Sequence, residues 1–204
     1  MGGTRTSRTK QRALDRYWKA KKSRWQVGRD YERYVGYLYE HDGYDVAYYG
    51  IEKGLEDLGR DVIAHKDGVI DVVQCKRWSA EKTIHEKHIF QLFGTVTAFR
   101  IDNPEATVTG RFVTTTKLSD RARAFAERLE IKVDESFAFD ESYPCIKCNV
   151  SMGDGEKIYH LPFDQMYDAT VVHAHRGEFY ARTVQEAEVA GYRRAFRWHG
   201  DTAG

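Results

Sequence analysis

The segment Gly59–Trp78 carries polar side chains where a buried strand would continue. A mostly apolar, β-branched run, Val69–Val73, leads directly into Gln74, Cys75 and Lys76. Burying an amide or an amine without hydrogen-bond partners is costly in free energy. Either the strand has ended and come out to water, or these side chains meet others at a site.

Two carboxylates are expected at the same place. Side chains alternate along a strand, so Gln74 and Lys76 point to one face of the sheet. Asp61 lies on the preceding strand, and a turn at Lys66–Gly68 allows the two strands to pair, which brings Asp61 near the Gln74 and Lys76 end. Glu32 lies on an earlier helix that we expect to pack against this sheet. The pattern therefore predicts two acids, an amide and an amine at one strand end.

These residue types suit metal-assisted cleavage of phosphodiester bonds. Asp61 offers hard carboxylate oxygens to Mg²⁺ or Mn²⁺, and Glu32 can hold the same ion or a second one. A bound metal polarises the phosphate and acidifies a water molecule, and Lys76 can position that water or offset charge on phosphorus. Gln74 supplies a neutral oxygen, which predicts modest metal affinity. The alternative is a solvated strand end, because many amphipathic strands contain Gln-x-Lys.

The elements that position these residues follow from hydrophobic periodicity and turn residues. We predict helices over 26–42, 85–100 and 119–129, and strands over 44–50, 60–65, 69–78, 108–116 and 131–136. A helix, hairpin-linked strands and then a strand–helix–strand unit describe one α/β domain. The composition changes near Pro144, after which a Tyr-rich segment ends in a short predicted helix over 183–196.

Charge is distributed unevenly along the chain. Residues 1–25 contain nine Lys and Arg and a single acid, Asp15, whereas the rest of the chain is acidic overall. We predict a basic N-terminal arm over 1–25, a catalytic domain over 26–140 and a small α+β accessory module over 144–200. A basic arm suits a polyanionic partner such as DNA, and the interleaved Tyr17, Trp18 and Trp25 can stack on bases. The alternative is a disordered, solubilising tail.

Several classes of protein are disfavoured by composition. No apolar run approaches the roughly 18 residues of a membrane span, so we expect no membrane partner. The basic N-terminus lacks the apolar segment of a secretion signal. Three cysteines without a disulfide framework favour a reducing compartment, and we predict a cytoplasmic location.

The order of motifs resembles the Mrr-type restriction endonuclease family of the PD-(D/E)xK nuclease superfamily. The resemblance covers about residues 26–138 and rests on "GRDYERYVGYLYEHDGYDV", "EDLGRDVIA", "VIDVVQCKRW", "IFQLFGTV", "GRFVTTT" and "SDRARAFAERLEIKVDE". It implies a restriction-endonuclease-like mixed sheet flanked by helices, and a Mg²⁺-dependent DNA endonuclease.

The resemblance also implies roles for individual residues. The family's helical Glu corresponds to Glu32 and its strand Asp to Asp61. Its Q-x-K motif corresponds to Gln74 and Lys76, and we add the backbone carbonyl of Cys75 as a metal ligand. The family's Q-L-x-G helix places Gln91 at the border of the site as a lesser catalytic candidate, and His88, one turn earlier, as a weaker one.

The C-terminal segment over about 145–200 resembles the small sunset domain, through "KIYHLP" and "EAEVAGYRRA". That resemblance implies an accessory or binding role. A structural zinc site is one hypothesis for this segment, and its ligands would be Cys145 and Cys148 with His160, or with His173 and His175. The alternative is that both thiols are free and buried.

The predicted DNA contacts are basic residues with one aromatic neighbour: Arg8, Lys10, Arg12, Lys21, Lys22, Arg24, Arg77, Trp78, Arg193, Arg194 and Arg197. The last three are expected on the C-terminal helix. Restriction of foreign or modified DNA and cleavage of junctions or damaged DNA both remain open. A non-catalytic DNA-binding module that retains the fold is also open. Double-strand cleavage would require a homodimer or two successive nicks.

Overall fold

The structure, a computed structural model, describes residues 5–49 and 60–195. The chain divides into two compact units. One, which we call the catalytic unit after the catalytic domain predicted over 26–140, is Lys22–Glu141. The other, the composite unit, combines Met1–Lys21 with Ser142–Gly204.

The described residues include the following α-helices and strands, together with a short 3-10 helix over Ala174–Arg176. The helices are α1 (Arg5–Lys19), α2 (Arg24–His41), α3 (Glu86–Asp102), α4 (Asp120–Arg128) and α5 (Val184–Val189). The strands are β1 (Asp45–Tyr48), β2 (Val62–Lys66), β3 (Val69–Lys76), β4 (Thr83–Ile84), β5 (Thr107–Thr114), β6 (Lys117–Leu118), β7 (Ile131–Asp134), β8 (Ile146–Val150), β9 (Lys157–His160), β10 (Phe179–Ala181) and β11 (Arg193–Arg194).

The catalytic unit contains a five-stranded mixed sheet in the order β1-β2-β3-β5-β7. The first three strands are antiparallel, whereas β3, β5 and β7 run parallel to one another. Helix α2 packs on one face of this sheet, and α3 and α4 pack on the other. The prediction of a mixed sheet flanked by helices is therefore confirmed.

Burial on both faces explains why β3 reads as a nearly continuous apolar run. Val73 and Cys75 pack with Tyr31 of α2 on one side, whereas Val72 packs with Leu92 of α3 on the other. The helix α2 itself begins with a capping box, in which the side chain of Ser23 accepts a hydrogen bond from the backbone N–H of Gln26 and the side chain of Gln26 accepts one from the backbone N–H of Ser23.

The β2–β3 hairpin sets the register that matters for the site. Asp67 and Gly68 both have positive φ, 48° and 76°, as a two-residue primed turn requires. The turn pairs Lys66 with Val69 and, further along, Val62 with Val73. Asp61 immediately precedes Val62, so this register brings it alongside the Gln74 end of β3.

The composite unit contains a four-stranded sheet in the order β10-β8-β9-β11, with α1 and α5 packed together. Here the structure differs from the predicted basic arm over 1–25. Residues 5–19 form a helix whose Leu14 is only 2% exposed. The apolar residues of this segment face the C-terminal part of the chain, so it is an integral element of the unit.

The predicted C-terminal helix is also shorter than expected. It ends at Val189, and Gly191 with φ of 87° reverses the chain. Arg193 and Arg194 then form β11, which runs parallel to β9. Their prediction as part of a basic helical face was wrong, and Arg197 lies outside the described residues. None of the described helices combines the length and apolarity needed to cross a membrane.

Candidate active site

Asp61 is a buried carboxylate held by the backbone of the neighbouring strand. It is 3% exposed, and its Oδ2 accepts a hydrogen bond from the backbone N–H of Cys75 at 2.6 Å. The Nζ atom of Lys76 lies 3.9 Å from the same oxygen. The structure therefore brings together the acid and the amine that the sequence analysis placed at one strand end.

Lys76, at the end of β3, opens onto a cleft of about 520 Å³. Glu32 of α2 and Cys75 line the same cleft. Burial raises the pKa of the Cys75 thiol, and the negative charges of Asp61 and Glu32 raise it further. Both carboxylates therefore act on the same strand end, although they approach it from different elements.

Gln74 is completely buried, and it is absent from the cleft lining. Neither its Oε1 nor its Nε2 has a hydrogen-bond partner among the described residues. An unpaired buried amide costs about 1–3 kcal/mol. Its strand parity matches that of Lys76, and the β2–β3 register brings it beside Asp61.

The donor chemistry of these residues fits a divalent cation. Asp61 and Glu32 provide carboxylate oxygens, and the buried Gln74 provides an amide oxygen that no described residue engages. Hard oxygen donors of this kind suit Mg²⁺ and Mn²⁺. Within residues 5–49 and 60–195, no group of three or more His, Cys, Asp or Glu lies close enough to hold a metal. An ion here would complete its coordination with amide, carbonyl or water oxygens.

The structure separates the two helix candidates, Gln91 and His88. The side chain of Gln91 is exposed on α3 and does not line the cleft. His88 packs edge-on against Trp78, with ring centroids 5.3 Å apart. Burial lowers the pKa of His88, and the positive charge of Lys76 lowers it further, so this histidine lies within electrostatic reach of the site.

The cleft is strongly basic. Its lining contains Lys22, Arg24, Lys76, Arg77 and Lys82, against the single acid Glu32. Four of the predicted DNA-binding residues, Lys22, Arg24, Arg77 and Trp78, are in this lining.

Several of these side chains also have partners within the catalytic unit. Lys22 pairs with the buried Asp30, and Arg77 pairs with Glu141 at 3.3 Å. Lys82, which the sequence analysis missed, lies with its Nζ atom 5.2 Å from the Trp78 ring centroid. The sequence signal for Lys82 was its position four residues after Trp78, in the loop that follows β3.

The remaining predicted DNA contacts lie in the composite unit. Arg8, Lys10, Arg12 and Lys21 belong to its N-terminal part. Arg193 pairs with Glu156, and Arg194 pairs with Asp164 at 2.5 Å, so both arginines of β11 already have carboxylate partners.

The zinc hypothesis is not supported within the described residues, where no metal-binding group of the required kind occurs. Cys145 immediately precedes the strand that carries Cys148, and residues three apart in extended chain point to opposite faces. Both thiols are free and buried, and burial raises the pKa of Cys148 to about 12.

Comparison with known proteins gives one family match and several distant structural matches. The Mrr catalytic domain of restriction endonucleases matches residues 24–135, and no curated protein matches the chain. The match gives no support to the sunset resemblance of residues 145–200, which stays a prediction.

Three solved structures illustrate the structural similarity. A repair endonuclease from Pyrococcus abyssi is 19% identical, with a TM-score of 0.41 over 57% of this chain and 47% of that one. The MspJI restriction endonuclease in complex with a 27-mer oligonucleotide is 14% identical, with a TM-score of 0.39 over 67% and 33%. A protein of unknown function is 20% identical, with a TM-score of 0.40 over 56% and 60%. The chain thus spans less than two thirds of the length of each of these structures. Because the Mrr catalytic domain matches more than half of it, the chain belongs to this restriction endonuclease family.

Proposed function

We propose that the chain is a metal-dependent DNA endonuclease that hydrolyses phosphodiester bonds in the cleft of the catalytic unit. The observation that carries the proposal is the ion pair between Asp61, which accepts a hydrogen bond from the Cys75 backbone, and Lys76, which lines a basic cleft. A carboxylate, an amine and a concentration of positive charge at one strand end suit a phosphodiester substrate.

The basic lining binds the substrate. Lys22, Arg24, Arg77 and Lys82 can contact phosphate oxygens, and such contacts supply most of the affinity of proteins for DNA. Trp78 also lines the cleft, where its ring contacts Lys82 and His88. The cleft thereby orients a phosphodiester over the strand end.

In the reaction, a water oxygen bonds to phosphorus while the bond from phosphorus to the leaving oxygen breaks. The leaving oxygen takes up a proton from solvent. The Lys76 ammonium stabilises the extra negative charge that develops on the phosphate oxygens, since it lies at the cleft and is held by Asp61. The proton of the attacking water passes to solvent, since Glu32, in the same lining, is assigned to the ion.

The divalent ion would be held by Asp61, by Glu32, by the Oε1 atom of Gln74 and by the backbone carbonyl of Cys75. When bound, it acidifies water and neutralises charge on the phosphate. Mg²⁺ is the first candidate and Mn²⁺ the second, because the donor atoms are all oxygen. Gln91, which is exposed outside the cleft, has at most a peripheral role.

The direct test is nicking of supercoiled plasmid by the full chain in Mg²⁺, Mn²⁺ or EDTA. We expect cleavage in either metal and none in EDTA. Lys76→Ala should abolish cleavage, whereas Lys66→Ala, at the far end of the β2–β3 hairpin, should cleave normally. Loss of cleavage in both variants, or in neither, would contradict the assignment.

The same assay distinguishes the alternative function. A chain that binds the plasmid in every metal yet never nicks it is a non-catalytic DNA-binding module with a retained fold. A panel of plain, methylated, branched and single-stranded DNA then separates restriction from repair-type cleavage. Linear product that appears without a nicked intermediate would indicate a homodimer acting on both strands.

A further inference from the structure

The helix α1 has two chemically different faces. One face is fixed to the rest of the composite unit between Ser7 and Trp18. Near its start, Lys10 donates a hydrogen bond to Glu188 at 2.8 Å, and the side chain of Gln11 accepts one from the backbone N–H of Val184 at 2.9 Å. In its second half, Leu14 is buried, and the ring of Tyr17 lies 5.5 Å from that of Phe163. The orientation of the helix about its axis is therefore determined.

The opposite face is a stripe of positive charge. It consists of Arg8, Arg12, Arg16 and Lys19, all of which are exposed. Their spacing of four, four and three residues places them within an arc of roughly 80° of the helix, and they span about 16 Å along its axis. We call these four residues the basic stripe.

The stripe is weakly neutralised. Arg12, Arg16 and Lys19 have no ion-pair partner among the described residues. Asp15 is the one acidic residue of the described helix, and its Oδ1 accepts a hydrogen bond from Gln11 at 2.9 Å. The stripe therefore keeps a net positive charge over three helical turns.

We propose that the basic stripe is a DNA-backbone binding surface of the composite unit, made of residues other than those that line the cleft. The proposal takes DNA as the partner because it rests on the proposed nuclease function. DNA carries one negative charge about every 1.7 Å of helix axis, so a stripe of about 16 Å can meet several phosphates. Arginine also suits phosphate because its fork of donors contacts two oxygens at once.

A membrane surface is the competing partner for a basic amphipathic helix. Such a helix inserts its apolar face among the lipids. In α1 that face is already occupied, since Leu14 is buried and Trp18 packs edge-on to Tyr143 at 6.3 Å. The stripe itself carries no apolar side chain, which favours DNA.

The inference also divides the basic residues of α1 into two groups. Lys10 contacts Glu188 and has its Nζ atom 5.7 Å from the Tyr159 ring centroid, so it stabilises the unit. Arg16 and Lys19 enter the DNA-binding group although they were not among the predicted DNA contacts. The prediction of a DNA contact at Lys10 is thus replaced by a structural role.

The test measures DNA affinity against salt concentration for the full chain in EDTA, where no cleavage occurs. The triple variant R12Q/R16Q/K19Q should reduce the slope of log K against log salt by about 2.7, since each phosphate contact contributes about 0.9. The control K66Q/K117Q/R128Q removes the same charge from exposed positions of the catalytic unit and should leave the slope unchanged. Both should melt at the wild-type temperature.

Two results would overturn the proposal. One is an equal loss of slope in both triple variants, which would show a general effect of net charge. The other is an unchanged slope in R12Q/R16Q/K19Q together with stripe-dependent binding to phosphatidylserine vesicles, which would identify a membrane contact. Plasmid nicking is scored separately: absent nicking with a stripe-dependent slope contradicts only the nuclease proposal.

Discussion

Asp61 accepts a hydrogen bond from the backbone N–H of Cys75, and the donor and acceptor atoms are 2.6 Å apart. The carboxylate is thus oriented by β3, the strand that carries Gln74 and Lys76. A displacement of β2 or β3 would therefore move this carboxylate relative to Lys76. The same contact gives Asp61 two separable contributions, one to the stability of the strand end and one to the chemistry.

We expect Asp61→Asn and Asp61→Ala to separate those contributions. Asparagine keeps an oxygen that can accept from the Cys75 N–H, so Asp61→Asn should fold normally and lose cleavage by about a hundredfold or more. Asp61→Ala leaves a buried donor unpaired and should also lose about 1–3 kcal/mol of stability. Plasmid nicking and chemical denaturation measure the two effects. Equal stabilities would show that the hydrogen bond contributes nothing.

Gln74→Glu should make stability depend on the metal. The new carboxylate would be buried beside Asp61, and an uncompensated buried charge is strongly destabilising. We expect a lower melting temperature in EDTA than for the native chain, a larger gain on adding Mg²⁺, and half-maximal cleavage at lower Mg²⁺. Equal responses to Mg²⁺ in the two proteins would mean that residue 74 does not reach the ion.

Trp25 should contribute to DNA binding without contributing to stability. It is 58% exposed at the start of α2, where the guanidinium of Arg29 lies 4.9 Å from its ring centroid and the neighbouring Arg24 lines the cleft. Stacking of a base on an aromatic ring is worth about 1–3 kcal/mol. Trp25→Ala should therefore weaken binding of single-stranded DNA about fivefold or more, while the melting temperature stays the same. Trp25→Phe should restore most of the affinity, and a failure to do so would argue against stacking.

Acid should loosen α1 from the composite unit. Burial alone would raise the pKa of Glu188, but hydrogen bonds from Lys10 and Ser7 outweigh it and hold that pKa below its usual value. Because the pKa of Glu188 is lower in the folded than in the unfolded protein, the ionised carboxylate stabilises the fold above about pH 4.3, the ordinary pKa of Glu. This stabilisation is lost as the pH falls through the lower pKa of the folded protein. The hydrogen-exchange protection factors of residues 5–19 should therefore fall below about pH 4.

Glu188→Gln supplies the matched test. It should accelerate exchange in α1 already at neutral pH and remove the pH dependence, whereas Glu127→Gln on exposed α4 should behave like the native chain. If Glu188→Gln kept the native pH profile, the docking of α1 would not depend on this carboxylate.

Two helix glycines should respond in opposite directions to alanine. A Cβ atom at Gly36 would clash with the hydroxyl oxygen of buried Tyr48, whereas one at Gly94 would meet nothing within 4 Å. Gly36→Ala should cost about 1–3 kcal/mol through overpacking. Gly94→Ala should gain about 0.5–1 kcal/mol from helix propensity. Urea denaturation measures both, and a stabilising Gly36→Ala would show that Tyr48 can move away freely.

Local sequence signals were sufficient for the three helices and the five-stranded sheet of the catalytic unit, whereas its two-residue strands β4 and β6 were not predicted. The hairpin followed from Lys-Asp-Gly, whose Asp67 and Gly68 have the positive φ values that the turn needs. The helix α4 followed from Ser119, whose side chain accepts from the backbone N–H of Ala122. The proximity of Asp61 and Lys76 followed in turn from strand parity and this hairpin.

Long-range packing was the part that local signals could not supply. The helix α1 contains more charged than apolar residues, so its sequence does not indicate a buried face. The rings that contact Tyr17 and Trp18 belong to Phe163 and Tyr143, more than a hundred residues away. The strand β11 was obscured for the same reason, since its pairing with β9 is non-local. Gly191 was the local clue that the preceding helix had ended. The isolation of Gln91 from the cleft depended on side-chain direction, which motif order does not specify.

The composite unit is assembled from two segments that flank the whole of Lys22–Glu141. During synthesis, the catalytic unit emerges in one continuous stretch and can fold while α1 still lacks α5 and its sheet. Once both units are folded, the intervening chain acts as a rigid insert; if it melts, it becomes a long flexible loop whose closure is entropically unfavourable. Heat or a destabilising mutation in the catalytic unit should therefore also release α1, even though the mutated residue belongs to the other unit.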